Sequence, residues 1–147
     1  MFLKQTSRSM GGFTLIELLV VLVILGLLAS VAGPKVIGYL GGARSDTARL
    51  QIEGFGASLD VFKLETGRYP TTQEGLTALV QQPPGLAGWN GPYLKKKSLP
   101  KDPWGNDYRY ASPGQHGIYD ISSLGADAKE GGDGENKDIN SWEDGKK

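Results

Sequence analysis

Gly11-Gly12-Phe13-Thr14-Leu15-Ile16-Glu17 begins a block that continues Leu18-Leu-Val-Val-Leu-Val-Ile-Leu-Gly-Leu-Leu-Ala-Ser-Val-Ala-Gly33, in which Glu17 is the one charge and Thr14 and Ser30 the only other polar side chains. As a helix rising about 1.5 Å per residue, Phe13 to Gly33 would reach about 30 Å, the thickness of a bilayer's hydrocarbon core. Residues 1–12 carry Lys4 and Arg8 and no acid. That positive leader is expected to stay cytoplasmic, which sends the remainder of the chain to the far side of the membrane. Glu17 lies early in the span. A mid-membrane carboxylate costs about 2.5 to 3.5 kcal/mol on insertion scales, less this near an end, so it ordinarily has a partner. Cleavage between Gly12 and Phe13 would create one, a new α-amino group four residues ahead of Glu17. Held at the end of its own helix, that amine could meet the carboxylate of an adjacent subunit.

Two plainer readings compete. Glu17 could be a tolerated acid at the end of a simple anchor helix. Alternatively, Ala29-Ser30-Val31-Ala32 offers the small residues of an ordinary signal-peptidase site, and a cut after Ala32 would release a soluble exported domain. Against the second stand the length of the apolar run and Glu17 within it.

Beyond Gly33-Pro34 the pattern turns amphipathic. Val36, Leu40, Ala43, Thr47, Leu50, Gly54, Ala57, Val61 and Leu64 recur at steps of three or four, with Arg44, Asp46, Arg49, Glu53 and Lys63 among them. This is a helical stripe, and Gly67 with Pro70 supplies a stop. The spacing predicts one helix over about 14–66, roughly 80 Å long: a membrane half, 13–33, and an amphipathic half, 34–66. Many interior glycines weaken it by about 1 kcal/mol each, and Pro34 by about 3 kcal/mol. Such a helix needs neighbours, and the stretch around Pro34 is expected to bend or unwind when subunits pack.

Residues 67–147 have a different texture. Thr72 to Val80 reads as a short helix closed by Pro83-Pro84. Tyr108 to Ala111 and Ile118 to Ser122 read as a hairpin about Pro113-Gly114, and Ile139 to Trp142 as a possible third strand. The expected class is α+β, with a long helix and a small two- or three-stranded antiparallel sheet. The whole chain has 147 residues and no cysteine, so this small domain must be stapled by something other than a disulfide.

Asp127, Glu130, Asp133, Glu135 and Asp138 are interleaved with Gly131, Gly132 and Gly134. Carboxylates and inward-turned carbonyls are what calcium requires, but Lys129 breaks the EF-hand spacing. On spacing alone a solvated acidic loop is the better reading.

Enzymatic chemistry finds little support. His116 is the only histidine and sits in Pro113-Gly-Gln-His-Gly117, a turn. Zinc sites need several His or Cys ligands, and no phosphate-cradling G-x-x-x-x-G-K-[ST] occurs. Sixteen basic residues balance sixteen acidic ones. Lys95-Lys96-Lys97 with Lys101 therefore reads as a solvated or subunit-facing surface rather than a nucleic-acid patch.

The block Gly12-Phe13-Thr14-Leu15-Ile16-Glu17 behind a short basic leader resembles the processing signal of type IV pilins and pseudopilins. The resemblance implies cleavage after Gly12 and N-methylation of Phe13 by a prepilin peptidase, and a docking role for Glu17. Thr66-Gly-Arg-Tyr-Pro-Thr-Thr-Gln-Glu-Gly-Leu76, Asp102-Pro-Trp-Gly-Asn-Asp-Tyr108 and Ser123-Leu-Gly-Ala-Asp127 are similar to segments of the major pseudopilins of type II secretion. With the leader, the likeness covers nearly all of Met1 to Trp142. It implies a type IV pilin-like fold and calcium held by the Leu124 carbonyl, Asp127 and Asp138, with Asp133 or Glu135 open as a further ligand. It also implies a single-pass inner-membrane protein with a periplasmic C-terminus. Copies of it would form a helical pseudopilus with minor pseudopilins, built by an inner-membrane platform and its ATPase, that drives protein export through the outer membrane. A type IV or competence (DNA-uptake) pilin shares the leader and is the alternative; the Arg68-Tyr-Pro and Asp102-Pro-Trp-Gly segments and the acidic loop favour secretion.

Overall fold

The computed structural model describes residues 11–143, and the chain divides between Ile37 and Gly38 into two compact units. The leader reading for residues 1–10 lies outside the described residues; Gly11 and Gly12 precede the first element. The elements run α1 (Leu15–Thr66), a 3-10 turn (Leu76–Leu79), β1 (Arg109–Ala111), β2 (Asp120–Ser123), a second 3-10 turn (Gly134–Asn136) and β3 (Ile139–Asn140).

In the first unit, Thr14 starts the helix. Its carbonyl accepts from the Leu18 N–H at 3.2 Å, and its Oγ1 accepts from the Glu17 N–H at 3.2 Å. Thr14-x-x-Glu17 thus has the spacing of a capping box, and Glu17 places negative charge where the helix dipole favours it. Every large apolar side chain from Leu15 to Val31 is exposed, Leu15 at 89% and Val31 at 71%. None of this apolar window is buried. A helix apolar on all sides suits a membrane, because its backbone polar groups are satisfied internally. Pro34 lies inside α1.

In the second unit, the later part of α1 buries Ala48, Ile52, Phe55, Leu59 and Phe62 in one cluster with Leu76, Leu79, Tyr108, Ile121 and Ile139. Alternating steps of four and three keep the helix residues on one face. Phe55 meets Tyr108 edge-on at 5.1 Å, and burial raises the Tyr108 hydroxyl pKa well above its ordinary value. The stripe most evident in the sequence is not this face: Leu40, Leu50 and Leu64 are 55%, 67% and 85% exposed. Two stripes share the 3.6-residue period, and the one carrying both phenylalanines faces the core.

The sheet has the order β1-β2-β3, antiparallel throughout, with Tyr110 opposite Ile121 and Ser123 opposite Ile139. The third strand does form, though it is only two residues long. The expected helix over Thr72 to Val80 shrinks to the Leu76–Leu79 turn, because Gly75 takes φ 61° and breaks the helical run. Likewise β2 begins at Asp120 rather than Ile118, whose side chain is exposed.

Leu59→Ala or Phe62→Ala is expected to lower unfolding stability by about 2–5 kcal/mol, and Leu64→Ala to change it by no more than about 0.5 kcal/mol. Denaturant unfolding in detergent, followed by tryptophan fluorescence, checks the contrast.

Candidate functional site

The antiparallel register sets the geometry of the acidic loop. Ser123 and Ile139 are paired, so Leu124 and Asp138 stand directly beyond the last ladder positions, at the root of loop 124–138. Glycines let the loop close tightly. A Cβ on Gly125 (φ 65°) would lie 2.6 Å from the Glu135 carbonyl oxygen, and one on Gly132 (φ 90°) 2.7 Å from that of Asn136. The Ala126 N–H donates to the Glu135 carbonyl at 2.8 Å across the same closure.

The five acids have different surroundings. Asp138 Oδ2 accepts from the Gly131 N–H at 2.9 Å, whereas its Oδ1 is buried with no hydrogen-bond partner among the described residues. Asp127 Oδ1 accepts from the Lys129 N–H at 3.1 Å. Glu130 pairs with Arg109 at 2.7 Å and Glu135 with Arg44 at 3.1 Å. Glu135 reaches α1 over Gly41, where a Cβ would stand 2.6 Å from its Cγ. Asp133 precedes the second 3-10 turn without a side-chain capping bond.

Among the described residues no three Asp, Glu or His side chains converge on a metal position. A cation here would therefore rely on backbone carbonyls beside carboxylates, the donor mixture hard cations accept. Leu124, Asp127 and Asp138 fit that requirement, and the unpartnered Asp138 Oδ1 is an atom that a cation would compensate.

Beneath the loop lies a polar node that the sequence reading passed over. Asp102 is 4% exposed and Ser123 fully buried. Asp102 Oδ1 accepts from the Trp104 and Asn106 N–H groups at 3.1 and 2.7 Å, and Oδ2 accepts from the Ser123 hydroxyl at 2.7 Å. The Asn106 side-chain amide donates to the Gly125 carbonyl at 3.0 Å. The signal available beforehand was the turn chemistry of Asp102-Pro-Trp-Gly-Asn106.

A second staple joins Arg68 to Glu74 through two bonds of 2.7 Å. Glu74 also accepts from the Thr71 N–H at 2.8 Å, while the Thr71 hydroxyl accepts from the Glu74 N–H at 3.2 Å. The Arg68 guanidinium, helped by Thr71, holds the Glu74 carboxyl down at about 2.

The remaining candidates are structural. His116 contacts Asp120 at 3.0 Å through Nδ1 and stacks on Trp142 at 3.9 Å, tying the hairpin turn to the C-terminal segment. Lys95, Lys96 and Lys97 are exposed, and Lys101 pairs with Asp107 at 3.2 Å.

A long N-terminal helix, apolar on all sides in its first half, followed by a small antiparallel sheet with a glycine-rich acidic loop, defines a type IV pilin-like subunit. Residues 35–142 match the family model described as Type II secretion system (T2SS), protein G, and residues 7–33 match the prokaryotic N-terminal methylation motif. Among similar proteins, the type II secretion system core protein G of Pseudomonas aeruginosa is 48% identical, covering 92% of this chain and 97% of its own. That of Vibrio cholerae is 47% identical, covering 94% and 95%. The crystal structure of the major pseudopilin from the type 2 secretion system of enterohaemorrhagic Escherichia coli aligns with TM-score 0.62 and 34% identity, over 72% of this chain and 92% of that one.

The chain belongs to the type II secretion protein G family: it is a pseudopilin, a structural component of that secretion system rather than a competence pilin. The methylation motif implies processing by a prepilin peptidase and assembly within the secretion system, and with the apolar helix it fits a membrane-anchored, periplasmic location.

Glu74→Gln is expected to cost about 1 kcal/mol at neutral pH, a value tempered by solvent around the Arg68 head. Because the folded carboxyl is depressed from 4.5 to about 2, its contribution is complete above the unfolded value. It is lost as pH falls through about 2. Stability curves of wild type and variant should therefore converge on acidification; a gap that persists at the acid end would contradict this.

Proposed function

We propose that the mature chain begins at N-methylated Phe13 and waits in the inner membrane as a single-pass protein with a periplasmic C-terminus. It then assembles with copies of itself into the helical pseudopilus that drives proteins through the outer membrane. The observation that carries this reading is the exposed, all-round apolar helix starting two residues after Phe13, in a chain whose remainder matches a secretion family. Lipid covers the span before assembly and neighbouring spans cover it afterwards. Leaving lipid strands the Glu17 carboxylate unless the terminal amine of an adjacent subunit meets it, so the pair sets the axial register. The stretch around Pro34 lacks one backbone donor and is the place where α1 unwinds on packing. Energy comes from the ATPase of the inner-membrane assembly platform, since this sequence has no phosphate-cradling motif, and minor pseudopilins join the filament.

Calcium is the second part of the proposal. The Leu124 carbonyl, Asp127 and Asp138 would hold it, with Asp133 or Glu135 as a further ligand, Glu135 being already paired with Arg44. Positive charge there would offset the mutual repulsion of the loop acids and keep the loop closed on β2 and β3.

Intact mass and N-terminal sequencing of protein from native-host membranes should give methyl-Phe13; a chain starting at Gly33 would sink the proposal. Glu17→Ala should insert as well as wild type or better, yet lose most filament formation. Normal filaments would remove the docking role.

Chelation should lower the melting temperature. A ligand bound only by the folded state contributes about 2.7 kcal/mol at a hundredfold excess over its Kd. Asp127→Ala should behave like chelated wild type, and coincident melting curves with calcium and with chelator would withdraw Leu124, Asp127 and Asp138 as ligands.

A further inference from the structure

We infer that Asp102, Ser123 and Asn106 are positioning residues that aim the Leu124 carbonyl into the acidic loop. The inference rests on the calcium reading above and deepens it.

The Leu124 carbonyl and the Gly125 N–H belong to one peptide plane, and that peptide is trans. In a trans peptide the C=O and N–H point in opposite directions, so whatever fixes the N–H also fixes the carbonyl. The Gly125 N–H donates to Ser123 Oγ at 3.3 Å. Ser123 Oγ can accept from that side because its own proton is committed to Asp102 Oδ2 at 2.7 Å. Asp102 is in turn held by the Trp104 and Asn106 N–H groups, leaving its carboxylate no easy alternative orientation. Ser123 is fully buried, so no solvent competes for its hydroxyl.

The next peptide is fixed independently. The Gly125 carbonyl accepts from Asn106 Nδ2 at 3.0 Å, and the Ala126 N–H of that peptide donates to the Glu135 carbonyl at 2.8 Å. Two successive peptide planes are therefore anchored to the Asp102-Asn106 turn and to the far limb of the loop. The Leu124 carbonyl takes its direction from this relay before any cation arrives. Gly125 alone suits the position, since a Cβ there would meet backbone at 2.6 Å.

Calcium titration calorimetry on the mature full-length protein in detergent tests the relay, with melting curves in chelator recorded for each variant. Ser123→Ala and Asn106→Ala should each raise the calcium Kd about tenfold, and Ser123→Thr, which keeps the hydroxyl, should stay near wild type. Should Ser123→Ala not fold, Asn106→Ala and Asp102→Asn decide the matter. A variant whose chelated melting temperature falls while its Kd is unchanged would overturn the relay and leave these residues purely structural. Failure of the wild type to take up calcium would overturn the calcium reading itself, a different result from tight binding by wild type and variants alike.

Discussion

The side chains from Leu15 to Val31 must be kept from water, and none of the described residues covers them. At about 25 cal/mol per Å² of apolar surface, a fully exposed helix of this kind is untenable alone in an aqueous compartment. Its only companions are lipid or other apolar helices. Membrane anchorage answers that constraint, and the helix bundling proposed above would answer it equally. Glu17 is the exception within it, a charge that costs energy in lipid.

The small domain faces the opposite difficulty, having little apolar surface to bury. Its core is one cluster around Phe55, Leu59, Phe62 and Ile121, over a sheet whose third strand is two residues long. Polar staples supplement it. Asp102 gathers three donors beneath the acidic loop, Arg68 and Glu74 lock the segment leaving α1, and Arg44 holds Glu135 against the helix. The Arg68-Glu74 pair is local in the chain, whereas the other two join distant segments. Asp102 reaches Ser123, and Arg44 reaches a loop ninety-one residues away. A chain without cysteine thereby obtains cross-links that depend on charge and hydrogen bonding.

Helix α1 serves both regimes in one element. Its first half is apolar all round, and its second half carries two apolar stripes, of which the domain uses one. Phe55 and Phe62 make the inner stripe the better core, because aromatic rings bury more area than the leucines and small residues of the outer stripe. Leu50 and Leu64 remain exposed.

The amino-acid sequence by itself determined the long helix, its bounds within a residue, the α+β class, the hairpin and the family signature at Gly12, Phe13 and Glu17. These follow from hydrophobic runs, glycine and proline punctuation and charge placement, all local properties. Only the tertiary structure decided which of two equally periodic stripes faces the core. It alone showed that Gly75 reduces an expected helix to a single 3-10 turn, and that Glu130 and Glu135 are drawn to arginines while Asp138 keeps an unpartnered oxygen. Asp102 was legible as a turn residue but not as the anchor of a buried node, for the same reason. Its importance comes from Ser123 and Gly125, far along the chain, and periodicity carries no record of which distant groups a fold will bring within 3 Å of one another.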